Sequence, residues 1–202
     1  MPTITLRVRD PRSGREERLL ALCDGGSSGL VVTKRAVHRL GVKTWTRKTT
    51  VKVIDNVTET NRENCAIELI SGSEPLMIPA KTAVVVDSIP VNASSIGTMA
   101  AVSKFPFMEG VVIADPPDLN VDLILGSDLA WSFWIPEEVR RGTDLKEPMA
   151  IKVNWGWMLV GGDVECMSQI SLNYINVDNK TLSECWICKR KLIEGWLRYK
   201  RK

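Results

Sequence analysis

The sequence is poor in several things that functional classes need. It has one histidine, His38, and a formal net charge of only +3 from 27 basic and 24 acidic side chains. No apolar stretch approaches the roughly 20 residues that cross a bilayer. Met1 is followed by Pro-Thr-Ile-Thr-Leu-Arg, not by a charged start and an apolar run of about 7–15 residues, so no export signal is read and a cytoplasmic location is expected. Five cysteines (Cys23, Cys65, Cys166, Cys185 and Cys188) is an odd number in a chain of this size. Reduced, partly buried thiols in a reducing compartment are expected rather than a disulfide framework. Three Asn-X-Ser/Thr sequons (Asn56, Asn92 and Asn179) are then chance matches. No internal repeat and no regular βαβ alternation is present.

A length of 202 residues with 44% hydrophobic and 25% charged side chains fits one ordinary globular domain, or a domain with a tail, able to bury its own core. Charge separates along the chain. Residues 181–202 carry seven basic and two acidic side chains, and the 180 before them 20 basic and 22 acidic. The body is therefore mildly acidic, and nucleic-acid or membrane contact is a question for the tail alone. In that tail Leu182, Cys185, Trp186, Leu192, Ile193 and Trp196 fall at helical spacing opposite a basic face. An appendage over 163–202, with an amphipathic helix within Leu182–Lys202, is the expectation.

The body reads as short strands with brief helices, hence an all-β domain. Ile4, Leu6 and Val8 alternate with Thr5, Arg7 and Arg9 as a half-buried strand. Pro11–Gly14 is a turn, and Arg18–Cys23 returns as the second arm of a hairpin. Leu30–Val32 is a short strand, and Thr33 caps a helix over Lys34–Leu40 that Gly41 stops. Strands are expected over Thr49–Val57 and Cys65–Ile70, with the polar stretch Thr58–Asn64 as a projecting tip. Leu76–Val86 is β-rich but broken by Pro79, and Ser94–Ser103 suggests a short helix. Val121–Leu125 is a buried strand ending at Gly126, after which Ser127 or Asp128 caps a helix to about Trp134. Met149–Val153 and Trp155–Val160 form a last hairpin around Asn154, with Trp155 and Trp157 packing on one side.

The densest candidate for chemistry is Cys23-Asp24-Gly25-Gly26-Ser27-Ser28-Gly29. As a G-x-S-x-G nucleophile elbow it would need a histidine base far downstream, and His38 stands eleven residues past Ser27 on the adjoining helix. As a phosphate cradle it lacks the G-x-x-x-x-G-K-[ST] pattern, and Asp24 would repel the anion. The third reading makes Asp24 the working group, a carboxylate leaving an apolar strand (Leu19, Leu20, Leu22) into a glycine turn. Two such carboxylates placed together share one proton, and the pair can activate a water and protonate a leaving amine.

In that third form the sequence resembles a known family. Leu22-Cys-Asp24-Gly-Gly26-Ser27, then Leu30–Val32 and the Lys34–Leu40 helix, is similar to the active-site segment of retropepsin-like aspartic proteases. Val121-Asp-Leu-Ile-Leu-Gly-Ser-Asp-Leu-Ala-Trp131 and Ala150–Gly161 resemble the peptidase domain of Bel/Pao-type retrotransposon polyproteins. The resemblance covers roughly residues 2–162. It implies an all-β, acid-protease barrel with one lobe per chain, an endopeptidase acting on polypeptide in the processing of its parent polyprotein, and no cofactor or metal. It makes Asp24 catalytic, Gly25, Gly26 and Ser27 its loop, and Leu125, Gly126 and Asp128 a second, structural glycine loop.

One active-site aspartate per chain implies that a homodimer supplies the second. The resemblance places a flap at about Thr49–Ile70, with Asp55 and Asn56 as candidates for its tip. Where the family has Ser or Thr after the aspartate, this chain has Gly25, which cannot supply the bracing hydroxyl. A catalytically inactive β-domain that binds peptide or protein is the competing expectation. His38 is expected on a helix surface. Cys185-Trp-Ile-Cys188 has the spacing of half a metal or redox site, without a second pair.

Overall fold

The computed structural model describes residues 1–53, 56–70, 77–129, 135–144 and 146–161. The chain divides into two units, Met1–Thr50 with Glu59–Ile170 and Val51–Thr58 with Ser171–Lys202. The first carries the fold and Asp24. Of the second, only residues 51–53 and 56–58 are described, as ends of two strands. The tail and its cysteine pair therefore lie outside the described residues, as does Asp55.

The first hairpin forms as its alternation dictates. Strand β1 (Thr3–Arg9) pairs antiparallel with β2 (Glu16–Cys23), Leu6 opposite Leu19. The turn is held by Asp10. Its Oδ1 accepts from the Arg12 N–H at 3.2 Å, and its Oδ2 from the Ser13 N–H and hydroxyl at 3.1 and 2.5 Å. Gly14 adopts φ +73°, a conformation that suits glycine. Burial pushes the Asp10 carboxyl up, but the Ser13 hydroxyl, the two amides and the Arg12 charge outweigh it, holding Asp10 below the usual range.

Strand β3 (Leu30–Thr33) runs directly into α1 (Lys34–Leu40). The Thr33 hydroxyl accepts from the Ala36 N–H, and Gly41 ends the helix at φ +66°. This is the expected helix with its expected caps. His38 is exposed on it.

A long hairpin follows, β4 (Thr44–Val53) and β5 (Asn56–Ile70). The expected tip at Thr58–Asn64 is overturned: those residues lie inside β5. Polarity signalled exposure rather than a turn, since Thr60, Asn61 and Arg62 are exposed on a strand. Strand β6 (Met77–Val86) runs through Pro79 without a break. Its register with β5 slips between Ile67 and Leu69, opposite the proline, where a missing N–H costs no regular ladder bond.

The stretch expected as one helix over Ser94–Ser103 is two pieces, a 3-10 turn at Ala93–Ser95 and α2 (Met99–Val102). Asn92 caps the first and Thr98 the second. Strand β7 (Val121–Leu125) is buried as expected. It is followed by a 3-10 turn at Ser127–Leu129, and the remainder of the helix expected to Trp134 lies outside the described residues. Strands β8 (Glu138–Arg140), β9 (Met149–Val153) and β10 (Gly156–Val160) form a separate sheet in the order β10-β9-β8. β10 lies against β1, and Thr3 and Thr5 are buried together with Ile4 and Leu6. The opening strand is therefore buried over both faces at its start, not half-buried.

The main sheet runs β1-β2-β7-β3-β6-β5-β4, and β1 also pairs with β5, Val8 opposite Leu69. Six strands thus close into a mixed barrel with β4 attached outside. β2–β7 and β3–β6 are parallel, and β1–β2, β3–β7, β5–β6 and β1–β5 antiparallel. An Arg9–Glu68 ion pair at 2.6 Å bridges the closing seam. The protein is mainly β with few helices, which agrees with the expected class. The interior is filled by Val8, Leu19, Val32, Ile67, Leu69 and Leu123, all fully buried. Trp155 belongs to this core, whereas Trp157 packs against a second cluster around Met108 and Val111. The two tryptophans therefore do not share one side.

Candidate functional site

The Asp24 loop is placed by one strand, β7. β7 is parallel to β2 on one side and antiparallel to β3 on the other, with Cys23 opposite Leu125 and Val31 opposite Ile124. Residues 24–29 connect β2 to β3, so they must arch over the end of β7. The sequence-predicted residues Asp24, Gly25, Gly26, Ser27, Leu125 and Gly126 are brought together here.

Three backbone features hold the arch. The Asp24 N–H donates to the Leu125 carbonyl at 3.0 Å, extending the β2–β7 ladder by one bond. The Ser127 N–H donates to the Ser27 carbonyl at 2.7 Å. Between them Gly126 passes against Gly29 so closely that a Cβ at Gly126 would lie 2.4 Å from the Gly29 carbonyl oxygen and 2.5 Å from its nitrogen. Only glycine fits that crossing.

Within the arch the Asp24 carboxylate is half-buried, while Gly25 and Gly26 are exposed. Its Oδ1 accepts from the Gly26 N–H at 2.9 Å, and the Asp24 carbonyl accepts from the Ser27 N–H at 3.2 Å. A Cβ on Gly26 would stand 3.2 Å from Oδ1, so the absent side chain lets the amide reach the carboxylate. Oδ2 takes no hydrogen bond among the described residues and is free to meet another group. The Ser27 hydroxyl donates away from the carboxylate, to the Gly29 carbonyl at 3.1 Å. Gly25 is not among the glycines with positive φ, so its backbone would accept a side chain without left-handed strain. Cys23, immediately before the aspartate, is buried, and burial pushes its thiol up to about 12. It is packing material rather than a reactive thiol.

Asp128 follows the arch and is tied outward. The Lys81 ammonium on β6 reaches its Oδ2 at 3.0 Å. Of the flap candidates, Asn56 opens β5 in the second unit and Asp55 lies outside the described residues.

Sequence reasoning missed a charge network at the other end of β3 and β7. Asp122 is buried within β7 and accepts from the Thr33 hydroxyl at 2.5 Å. Arg35 reaches Asp122 at 2.5 Å and Asp118 at 2.9 Å, and Arg39 stands 3.6 Å from Asp122 and 2.9 Å from Glu17. The signal was present in the sequence: a carboxylate inside an apolar strand needs a cation, and Arg35 and Arg39 share a helix face four residues apart. Burial pushes the Asp118 carboxyl up, but the Arg35 hydrogen bond and charge and the Asn120 amide outweigh it and hold it below the usual range. A cavity of about 180 Å³ opens beside this network, and one of about 390 Å³ lies between Met99, Phe105 and Val111. Neither is lined by a residue of the Asp24 arch.

Among the described residues no helix is long and apolar enough to cross a membrane. No protein-family model matches the chain, and no curated protein matches it.

Proposed function

We propose that the chain is one half of an aspartic endopeptidase, and that two copies meet with their Asp24 arches face to face. The observation that carries this reading is the arch itself: a half-exposed carboxylate at the end of a buried strand, one oxygen held by an amide, the other uncommitted. A closed, mainly β barrel and the close glycine crossing support it.

In this reading one Asp24 is ionised and the Asp24 of the second copy is protonated, because two carboxylates in contact cannot both ionise. The ionised one takes a proton from water as the water oxygen adds to the peptide carbonyl, and the protonated one hydrogen-bonds the carbonyl oxygen. Proton return to the amine nitrogen breaks the C–N bond. The substrate is an extended polypeptide, and no cofactor enters.

Gly25 favours a second reading, a non-catalytic domain that binds peptide or protein, because glycine offers no hydroxyl to brace two arches. One experiment separates the two. Purified protein and Asp24→Asn are compared on an unfolded polypeptide from pH 4 to 7. Cleavage by the first and none by the second is expected; equal cleavage removes Asp24 from the chemistry. Gly25→Ser should accelerate cleavage or tighten dimerisation, since Gly25 does not hold a left-handed φ.

A further inference from the structure

We infer that the Lys81–Asp128 ion pair is a positioning device for the Asp24 arch. The inference rests on the reading of Asp24 as the working carboxylate. The chain of connections is short. Lys81 stands on β6, opposite Ile67 in the barrel wall. Its ammonium holds Asp128 at 3.0 Å. Asp128 is the middle residue of the 3-10 turn Ser127–Leu129, and Leu129 closes that turn with an N–H to the Gly126 carbonyl at 3.0 Å. The first residue of the turn, Ser127, donates to the Ser27 carbonyl at 2.7 Å. A pull on Asp128 is therefore transmitted through one turn to the carbonyl in the middle of the arch.

Both partners of the pair are about one-third exposed, at 34% each. A pair so solvated adds little to global stability. Its geometric effect is not small, because the turn it tethers has the close glycine crossing on one side and β7 on the other. Lys81 and Asp128 are positioning residues: neither is placed on the substrate or on Asp24.

The test uses the whole chain, with Lys81→Met and Asp128→Asn as disrupting variants and Lys81→Arg as the conservative one. Amide exchange is read at Asp24 and Ser127, with Leu6 and Leu19 in the β1–β2 ladder as reference. Peptide cleavage is read as kcat and KM. Expected is about tenfold faster exchange at Asp24 and Ser127 in both disrupting variants with the reference unchanged. kcat should fall about tenfold with KM within twofold, because small misplacements of a reacting group are costly. Tm should move by no more than about 4 °C, and Lys81→Arg should restore both readouts. Unchanged exchange overturns the inference, as does unchanged kcat in an active enzyme. If wild type and Asp24→Asn cleave equally, the peptidase reading fails, and the exchange readout still decides the positioning role.

Discussion

At the scale of single residues, Gly126 and Gly29 meet at one crossing but do different things. Gly126 is glycine because its own Cβ would collide with backbone, whereas a Cβ on Gly29 would meet nothing within 4 Å. Gly126→Ala should therefore cost at least about 2 kcal/mol, because the neighbour is main chain and cannot step aside. Gly29→Ala should fall within about 1 kcal/mol of wild type. Urea unfolding of the two variants checks the contrast, and equal losses would mean the crossing is looser than described. Asp24, Gly26 and Gly126 were readable from sequence because each sits at a junction where an apolar strand stops. The partner of Asp128 was not, since Lys81 lies 47 positions away in a strand whose alternation says nothing about its cation.

At the scale of elements, α1 was readable to its caps because a helix end is a local problem solved by adjacent residues. The long hairpin was misread for the opposite reason: the exposed part of β5 at Thr60–Arg62 has the same composition as a turn, and nothing local distinguishes the two. What ties α1 to the sheet is the Asp122 network, and its members are unequally placed. The Asp122 side chain is 3% exposed and that of Arg35 39%. Arg35→Met should cost about 3 kcal/mol, because it strips a buried carboxylate of its nearest cation. Asp122→Asn should cost less, since both arginines reach water. Asp118 and Asp10 are held below the usual carboxyl range. Their stabilisation is therefore present above about pH 4, the unfolded value, and is lost as pH falls through the lower folded values. The urea midpoint should decline on acidification from that point, and Asp118→Asn should flatten the decline.

At the scale of the whole molecule, the proposed chemistry divides one site between two chains, which gives it a concentration signature. Cleavage per chain should fall on dilution and recover with excess Asp24→Asn chain only partly, because a mixed pair has a single working aspartate. Linear dependence of rate on concentration down to the nanomolar range would count against a weak dimer. The barrel itself carries a consequence of another kind. β2 pairs with β1 at once but cannot acquire its second neighbour until β7 exists, and Asp24 finds its backbone acceptor only at Leu125. Pairings so distant along the chain form slowly, since their loop entropy must be met first. On a ribosome the first five strands of the wall would emerge and wait, and the aspartate would remain unbraced until the last strand arrives. Synthesis thus imposes a delay on whatever Asp24 does: the loop that bears it is among the first made and the last assembled.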